Sequence, residues 1–245
     1  MHPILFKAGG FTVYSYGFFV ALSMVIVLFL ADRMAKRAGL SEKITLDFLF
    51  VIFLSGIAGA RLLFVIQHFE DYRTDPLRAL AIQEGGLVYY GGLLAAVLVG
   101  GLWAARKKWP LLKLLDFFAP LLLLAHAIGR IGCFLNGCCY GAETDLFLGV
   151  VFYGDDVRRH PVQIYESILL LVLFFILYGR SRKVHPDGMI FSLYLMTYGV
   201  ARFALEGLRG DQDLLGAWTL PQWMSLIFLV AGLGLWLAVT RKQKS

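Results

Sequence analysis

Seven long apolar segments are the feature that most constrains what this chain can fold into. They cover roughly residues 13–32, 45–67, 87–105, 111–131, 162–179, 188–207 and 219–240. Each is close to the ~20 residues that a helix needs to cross the hydrocarbon core of a bilayer. The strands of a membrane barrel would be about ten residues long and would alternate in polarity. The sequence therefore predicts an all-α polytopic membrane protein, a bundle of seven transmembrane helices.

Composition and charge agree with a membrane protein. The 245 residues are 59% hydrophobic and 16% charged, whereas a soluble domain carries about 25% charged residues. The net charge of +6 does not indicate nucleic-acid binding, because the basic residues form short clusters between the apolar segments. Most of these clusters fall in one set of loops, which predicts an N-terminus outside and a C-terminus in the cytoplasm. The first apolar segment is followed by its basic cluster, which predicts a retained helix rather than a cleaved signal.

The domain organisation is predicted to be simple. No linker or clear repeat divides the chain, so residues 1–245 are expected to form a single integral-membrane domain. The predicted outer loops are 68–86, 132–161 and 208–218. The loop 132–161 is long enough to form a small extracytoplasmic cap with short elements of its own.

Three arginines lie inside or at the ends of apolar segments: Arg61, Arg130 and Arg202. A charged side chain at mid-bilayer costs about 2.5–3.5 kcal/mol on insertion scales, so such residues are candidates for function. All three lie toward the outer end of their segments, where lipid headgroups sit, and guanidinium binds phosphate through a rigid fork of donors. The pattern predicts a pocket for an anionic lipid phosphate. Structural roles are also open, since Arg202 can pair with Glu206 one turn on and Arg61 can extend to the interface.

The three cysteines of the chain fall together in GRIGCFLNGCCYG, at Cys133, Cys138 and Cys139. Four interpretations are open at this point. They are a disulfide on the oxidising outer side, a metal site with His126 or His160 as the fourth ligand, a catalytic thiol, and small packing residues in a tight turn.

Tyr90 lies between two glycine pairs in EGGLVYYGGLL. Glycine lets the backbone bend or approach a neighbour closely. The position fits either an interfacial aromatic belt at a helix start or a tyrosine that faces substrate.

The motif GRIGCFLNGCCYG resembles the signature of the bacterial prolipoprotein diacylglyceryl transferases. In that signature Asn commonly stands at the position of Cys133 and Glu at that of Cys138, so this chain resembles a cysteine-bearing variant. Further stretches along nearly the whole chain are similar to family motifs: YSYGFFVAL, GARLLFV, DFFAP, RHPVQIYES and YGVARFALEGLRGD. One departure concerns the third apolar segment, where many members carry a histidine considered a catalytic base and this chain has Tyr90.

The resemblance implies an activity and a location. The family transfers the diacylglyceryl group of phosphatidylglycerol to the lipobox cysteine of prolipoproteins, forms a thioether and releases glycerol phosphate. It uses no metal and no organic cofactor. The expected partners are phosphatidylglycerol, prolipoprotein signal peptides and membrane lipids, with no nucleic acid, and the expected state is a monomer in the bacterial cytoplasmic (inner) membrane. The alternative function is a non-catalytic or differently specific paralogue that binds or moves phospholipid on the same scaffold.

The resemblance also implies site residues. Arg130 and Arg202 are expected to stabilise the leaving phosphate and to favour the thiolate. Tyr90 is expected to position substrate by hydrogen bonding, and either Tyr90 or Glu206 could accept the thiol proton. The expected substrate-binding residues are Tyr16, Arg61, Asn136, Gly141, Tyr198 and Glu206.

Overall fold

A computed structural model describes residues 2–9, 11–82, 85–209 and 214–242, and for residues 8, 11 and 242 it describes the backbone alone. Parts of two predicted outer loops, 83–84 and 210–213, lie outside the described residues. The described helices are α1 Ser15–Ala35, α2 Glu42–Gln67, α3 Phe69–Tyr72, α4 Tyr89–Arg106, α5 Leu111–Asn136, α6 Val162–Ser181, α7 Met189–Glu206 and α8 Leu220–Lys242, with a 3-10 helix at Pro76–Leu80. Three antiparallel pairs of strands join β1 Ile4–Ala8 to β2 Phe11–Tyr14, β3 Val150–Val151 to β4 Arg158–Arg159, and β5 Leu214–Leu215 to β6 Trp218–Thr219.

Each of the predicted apolar segments contains one long helix, and most helix ends agree with the prediction to within a few residues. The largest difference is at α5, which continues to Asn136 rather than ending near residue 131. This extension matters because it places Arg130 and Cys133 within a helix.

Among the described residues, five helices are long and apolar enough to cross a membrane: α1, α2, α5, α6 and α8. This finding confirms a polytopic, mainly helical membrane protein. The helices α4 and α7 fall short of the same hydropathy, because α4 contains four glycines and ends at Arg106, while α7 contains Arg202 and Glu206. The number of seven spans stays a prediction.

The chain forms two compact units. One consists of Met1–Ala31 with Leu112–Ser245, and the other of Asp32–Leu111. We call them the large and the small unit and describe each by itself. The β3–β4 pair lies between α5 and α6 in the large unit, inside the segment 132–161 that is predicted to form the cap.

The small unit is built on close contact between α2 and α4. Glycines face each other across this contact, and a Cβ atom added to Gly59 would lie 2.6 Å from the carbonyl oxygen of Gly91. Small residues at such positions let two membrane helices approach closely. The backbone N–H of Val88 also donates to the carbonyl of Ala60, at 3.0 Å, and so fixes the start of α4 beside the middle of α2.

The large unit has an apolar core formed mainly by α5, α6 and α7. Its buried members include Leu123 on α5, Leu170 and Leu177 on α6, and Ile190 on α7. The buried carboxylate of Asp116 accepts hydrogen bonds from the N–H groups of Gly188 and Phe191, each at 2.7 Å. A carboxylate at a helix start satisfies N–H groups that have no partner within the helix. These contacts fix α7 relative to α5.

Candidate functional site

A network of buried charged side chains joins α5, α6 and α7 in the large unit. Arg130 Nε of α5 lies 2.9 Å from Glu166 Oε2 of α6. Arg202 of α7 approaches the same oxygen, with 3.9 Å between its Nη1 and Glu166 Oε2. Arg202 Nη2 also lies 2.6 Å from Glu206 Oε2 one turn further along α7. The structure therefore brings Arg130 and Arg202 together on one carboxylate.

Burial makes these pairings necessary. The side chains of Glu166 and Glu206 are 3% and 0% exposed, and an unpaired ionised carboxylate at such a position is strongly disfavoured. Two arginines and two glutamates carry no net charge together. Neighbouring hydrogen bonds hold the elements in register: Ser167 Oγ donates to the carbonyl of Ala127 at 2.9 Å, and Thr219 Oγ1 donates to Glu206 Oε1 at 3.2 Å.

Two buried donors of the network, Arg130 Nε and Arg202 Nη1, make no hydrogen bond within the described part of the chain. Arg130 Nε still lies 2.9 Å from Glu166 Oε2, whereas Arg202 Nη1 lies 3.9 Å from it. Buried N–H groups are nearly always hydrogen-bonded, so an unsatisfied one in a polar cluster indicates a place where a ligand oxygen can bind. The guanidinium side chains of Arg130 and Arg202 are 14% and 12% exposed, so both remain partly accessible.

His126 extends the network on the α5 side. Its Nε2 lies 3.4 Å from Glu166 Oε1, and its ring lies 5.7 Å from that of Tyr198. The imidazole is about one-third exposed, whereas Tyr198 is buried and stacked on Tyr194. A histidine held by a carboxylate is the usual arrangement of a general base and the group that orients it.

Arg61 has a different kind of environment, within the small unit. Its Nε donates to the carbonyl of Ala79 at 2.8 Å and Nη2 to that of Arg78 at 2.8 Å. Its Nη1 donates to the carbonyls of Gly85 and Gly86. A guanidinium has five N–H groups, so these contacts occupy four of them. Arg61 is 5% exposed, and its partners are backbone carbonyls of the segment between α2 and α4.

The remaining predicted site residues lie in both units. Tyr16 is half exposed at the start of α1, beside Gly132 of α5, and Asn136 is the exposed last residue of α5. Gly141 is buried, and a Cβ atom there would lie 2.6 Å from the carbonyl oxygen of Leu208. Tyr90 belongs to the small unit, where it is the second residue of α4 and packs edge-on against Tyr89.

The three cysteines form a cluster at the end of α5, where Cys133 lies in the last turn of the helix and the other two follow it. Gly137, the first residue past the helix, has a φ angle of +75°. Its N–H donates to the carbonyl oxygen of Phe134 at 3.1 Å, and the N–H of Cys138 donates to that of Cys133 at 3.2 Å. This pair of bonds is a Schellman motif, which brings the side chains at its two ends together. The sulfur atoms of Cys133, Cys138 and Cys139 lie within 4.8 Å of one another, and the cysteines are free thiols.

The sequence-based alternatives for a fourth metal ligand are wrong for the described structure. Neither His126 nor His160 belongs to the thiol cluster. His126 contacts Glu166 instead, and His160 Nδ1 lies 3.5 Å from the hydroxyl of Tyr165. Cys139 lies outside the helix, and hydrogen bonds from Cys133 and Cys138 lower the pKa of its thiol. Cys139 is therefore the most acidic thiol of the three.

Sequence reasoning did not single out Glu166 as a site residue and considered His126 only as a metal ligand. A signal for Glu166 was present, since it is an acidic residue inside an apolar segment, and such residues are expected to have a charged partner. The same rule had selected the arginines. No signal in the sequence pairs His126 with Glu166, because they are 40 residues apart and meet through the packing of α5 on α6.

Comparison with known proteins places this arrangement in a family. A family model described as prolipoprotein diacylglyceryl transferase matches residues 3–238. The chain belongs to this family. It is 36% identical over 239 residues to the phosphatidylglycerol–prolipoprotein diacylglyceryl transferase of Clostridium tetani, an alignment that covers 95% of this chain and 96% of the relative. It is also 36% identical over 265 residues to the enzyme of that name from Parasynechococcus marenigrum, covering 99% and 95%.

A third relative, from another genus, gives the same result. The phosphatidylglycerol–prolipoprotein diacylglyceryl transferase of Geobacter sulfurreducens is 33% identical over 250 residues, covering 98% of this chain and 96% of the relative. Together with the apolar helices, membership in the prolipoprotein diacylglyceryl transferase family makes this chain a multi-pass protein of the bacterial inner membrane. The names of these relatives do not favour the alternative of a non-catalytic lipid-moving paralogue.

Proposed function

We propose that this chain is a transferase that moves the diacylglyceryl group of phosphatidylglycerol to the lipobox cysteine of prolipoproteins. Family membership and the names of the relatives support the reaction. The observation that carries the proposal to particular residues is the pairing of Arg130 and Arg202 on Glu166. The expected partners are phosphatidylglycerol and prolipoprotein signal peptides, and the expected state is a monomer.

The proposed topology has seven spans, an N-terminus outside and a C-terminus in the cytoplasm. In this orientation the end of α5, the start of α6 and the end of α7 all lie on the outer side. Arg130, Glu166 and Arg202 lie near these three ends. The segment 132–161 would form the extracytoplasmic cap beside them. This is the side on which a lipobox cysteine at the end of a signal peptide is presented.

The chemistry requires cations at the leaving group. The thiolate sulfur of the prolipoprotein forms a bond to the terminal glyceryl carbon, and the bond between that carbon and the phosphate oxygen breaks. The electron pair of the broken bond stays on that oxygen, and glycerol phosphate leaves. Charge that develops in a water-poor site is best stabilised by donors already in place. Arg130 and Arg202 meet this need, because Glu166 holds both guanidiniums before substrate arrives.

The proton of the thiol needs an acceptor. A free thiol has a pKa near 8.5, so most of it is protonated at neutral pH. An unperturbed tyrosine with a pKa near 10 is a poor base under these conditions, whereas a neutral imidazole is the group that most often accepts a proton in catalysis. We therefore propose His126, oriented by Glu166, as the base. Tyr90 keeps the proposed role of a hydrogen-bonding group that positions substrate.

The reaction itself is the first test of this function. Purified protein in detergent would be incubated with phosphatidylglycerol and a lipobox peptide, and the peptide analysed by mass spectrometry. We expect a diacylglyceryl adduct on the cysteine and release of glycerol phosphate. Arg130→Lys should lower the rate on the order of a hundredfold, because lysine keeps the charge and loses the fork of donors. Arg182→Lys, an exposed arginine at the end of α6, is the matched control and should retain the wild-type rate.

The base is tested separately by pH dependence. His126→Gln should remove the acidic limb of the pH–rate profile and lower the rate by about 10²–10⁴-fold. Tyr90→Phe should lower the rate without moving that limb. If Tyr90→Phe shifts the profile while His126→Gln leaves it in place, Tyr90 is the base. A wild-type protein that binds phospholipid but forms no adduct, beside an active relative, would refute the transferase function.

A further inference from the structure

The thiol cluster of Cys133, Cys138 and Cys139 has no role in the proposed transfer. Three sulfur atoms within 4.8 Å of one another are close to the arrangement of a metal site. With zinc–sulfur bonds of about 2.3 Å, tetrahedral coordination separates sulfur atoms by about 3.8 Å. The thiols therefore need to move by only about an ångström to share one ion.

The backbone builds this cluster, rather than chance packing of side chains. The Schellman motif at the end of α5 brings the fourth-last residue of the helix next to the second residue past it. Cysteines occupy both positions, at Cys133 and Cys138. Gln163 of α6 then anchors the loop, because its Nε2 donates to the carbonyl of Cys138 at 2.6 Å.

The third thiol comes from a residue in an unfavourable conformation. Cys139 has φ +64, in the left-handed region that residues with a Cβ atom rarely adopt. Strained backbone of this kind persists where surrounding contacts hold it, and it is concentrated at ligand and catalytic sites. A glycine at this position would relieve the strain but would supply no sulfur. The chain instead has a cysteine at this strained position, so the third sulfur atom of the cluster is retained.

We propose that the thiolates of Cys133, Cys138 and Cys139 bind one zinc ion, with water as the fourth ligand. On binding, each thiol releases its proton to solvent. Three thiolates and Zn²⁺ carry a net charge of −1, and Arg130 and Arg209 lie close enough to interact favourably with negative charge on Cys139. Three protein ligands leave one coordination position open for exchange. The site goes beyond the transfer function, because the family resemblance implies no metal.

Metal binding is tested on the full-length protein in detergent, without reference to transferase activity. Elemental analysis of protein purified without chelator should give about one zinc per chain. After removal of zinc under reducing conditions, titration with Co²⁺ should produce thiolate-to-cobalt charge-transfer absorption that saturates at one equivalent. Added Zn²⁺ should displace the cobalt and raise the melting temperature of the protein, as expected for a ligand that binds the folded state.

Two variants separate loss of the site from loss of the fold. Cys138→Ser should abolish the cobalt absorption. Cys139→Gly should also abolish it, while the metal-free protein becomes at least as stable as wild type because the strain at this position is relieved. His68→Ala, an exposed histidine in the small unit, is the control and should bind cobalt normally.

Three results would overturn the proposal. One is protein isolated from cells with no zinc and a disulfide between two of the three cysteines. Another is reduced protein that gives no charge-transfer absorption with Co²⁺. The third is equal cobalt binding by wild type and Cys139→Gly. Each of these leaves the transferase proposal untouched, since that proposal depends on Arg130 and Arg202.

Discussion

Two regions of this protein bury arginine within apolar helices, and they satisfy it in different ways. In the small unit, Arg61 donates four hydrogen bonds to backbone carbonyls of the segment between α2 and α4. In the large unit, Arg130 and Arg202 face carboxylates on α6 and α7. In the sequence all three are arginines near the outer ends of apolar segments, and Arg202 alone among them has a carboxylate one helical turn away.

The difference teaches that the partners of a buried arginine, rather than its burial, indicate its role. Backbone carbonyls cannot move away without unfolding the segment, so the donors of Arg61 are committed to the fold. A carboxylate can share a guanidinium with a second anion. Within the described structure, the Nη1 donor of Arg202 makes no hydrogen bond. We therefore expect Arg61 to contribute to stability, and Arg130 and Arg202 to contribute to catalysis.

Among the arginines of this comparison, the largest expected effect comes from Arg202. Arg202→Ala should lower kcat by about 10²–10³-fold, as removal of one preorganised donor to a developing oxyanion does. The measurement is the steady-state rate of diacylglyceryl transfer to a lipobox peptide. Because this change leaves Glu206 buried and unpaired, Arg202→Ala/Glu206→Gln serves as a second variant that removes the orphaned charge. A double variant that folds and transfers at the wild-type rate would contradict a catalytic role.

A smaller effect on activity and a larger one on stability is expected at Arg61. Arg61→Ala removes four hydrogen bonds to the segment between α2 and α4, at about 0.5–1.5 kcal/mol for each bond. We expect a clear fall in melting temperature in detergent, with kcat of the folded fraction within about threefold of wild type. If Arg61→Ala keeps its melting temperature and loses its turnover, then Arg61 binds the phosphate and the comparison between the two regions fails.

The smallest effect is expected for an arginine pair nearer to solvent. Arg159 of β4 donates a hydrogen bond from Nε to the carboxylate of Asp155, which lies in the turn between β3 and β4. This hydrogen bond lowers the pKa of Asp155. A carboxyl group with a lowered pKa contributes stability above its unfolded pKa of about 3.9 and loses it as the pH falls through the folded value. Asp155→Asn should therefore lower the melting temperature slightly at pH 7, and the difference should shrink as the pH falls below about 3.9. A large loss of activity or stability at pH 7 would show that solvent does not screen this pair.

Most of the fold could be predicted from hydrophobic segments, because length and polarity are the requirements that a bilayer imposes on a helix. The prediction was least accurate at the end of α5. The fourth apolar segment was predicted to end near residue 131, yet the helix continues through Gly132 to Asn136. Packing explains the difference: a Cβ atom on Gly132 would lie 2.9 Å from Cβ of Phe19, so the glycine admits α1 against α5.

The candidate site was only partly predictable. Charge in an apolar segment identified Arg130, Arg202 and Glu206, and the pairing of Arg202 with Glu206 follows from their spacing on one helix. The junction at Glu166 does not follow, because it depends on how three helices pack. The partners of Arg61 were unpredictable for the same reason, since carbonyl groups carry no sequence signal.

The central claim is that Arg130 and Arg202 act together on one phosphate, whereas Arg61 acts on the fold. A double-mutant comparison of transfer rates tests it most directly, using Arg130→Lys, Arg202→Lys, Arg61→Lys and their pairwise combinations. Groups that act as a unit are strongly non-additive, so Arg130→Lys/Arg202→Lys should be little slower than the slower single variant. Arg61→Lys should leave the rate of the folded fraction unchanged in either background. The account is contradicted if the double variant Arg130→Lys/Arg202→Lys is slower by the full product of the two single fold-decreases in rate. It is also contradicted if the effect of Arg61→Lys on the rate depends strongly on whether Arg202 is replaced.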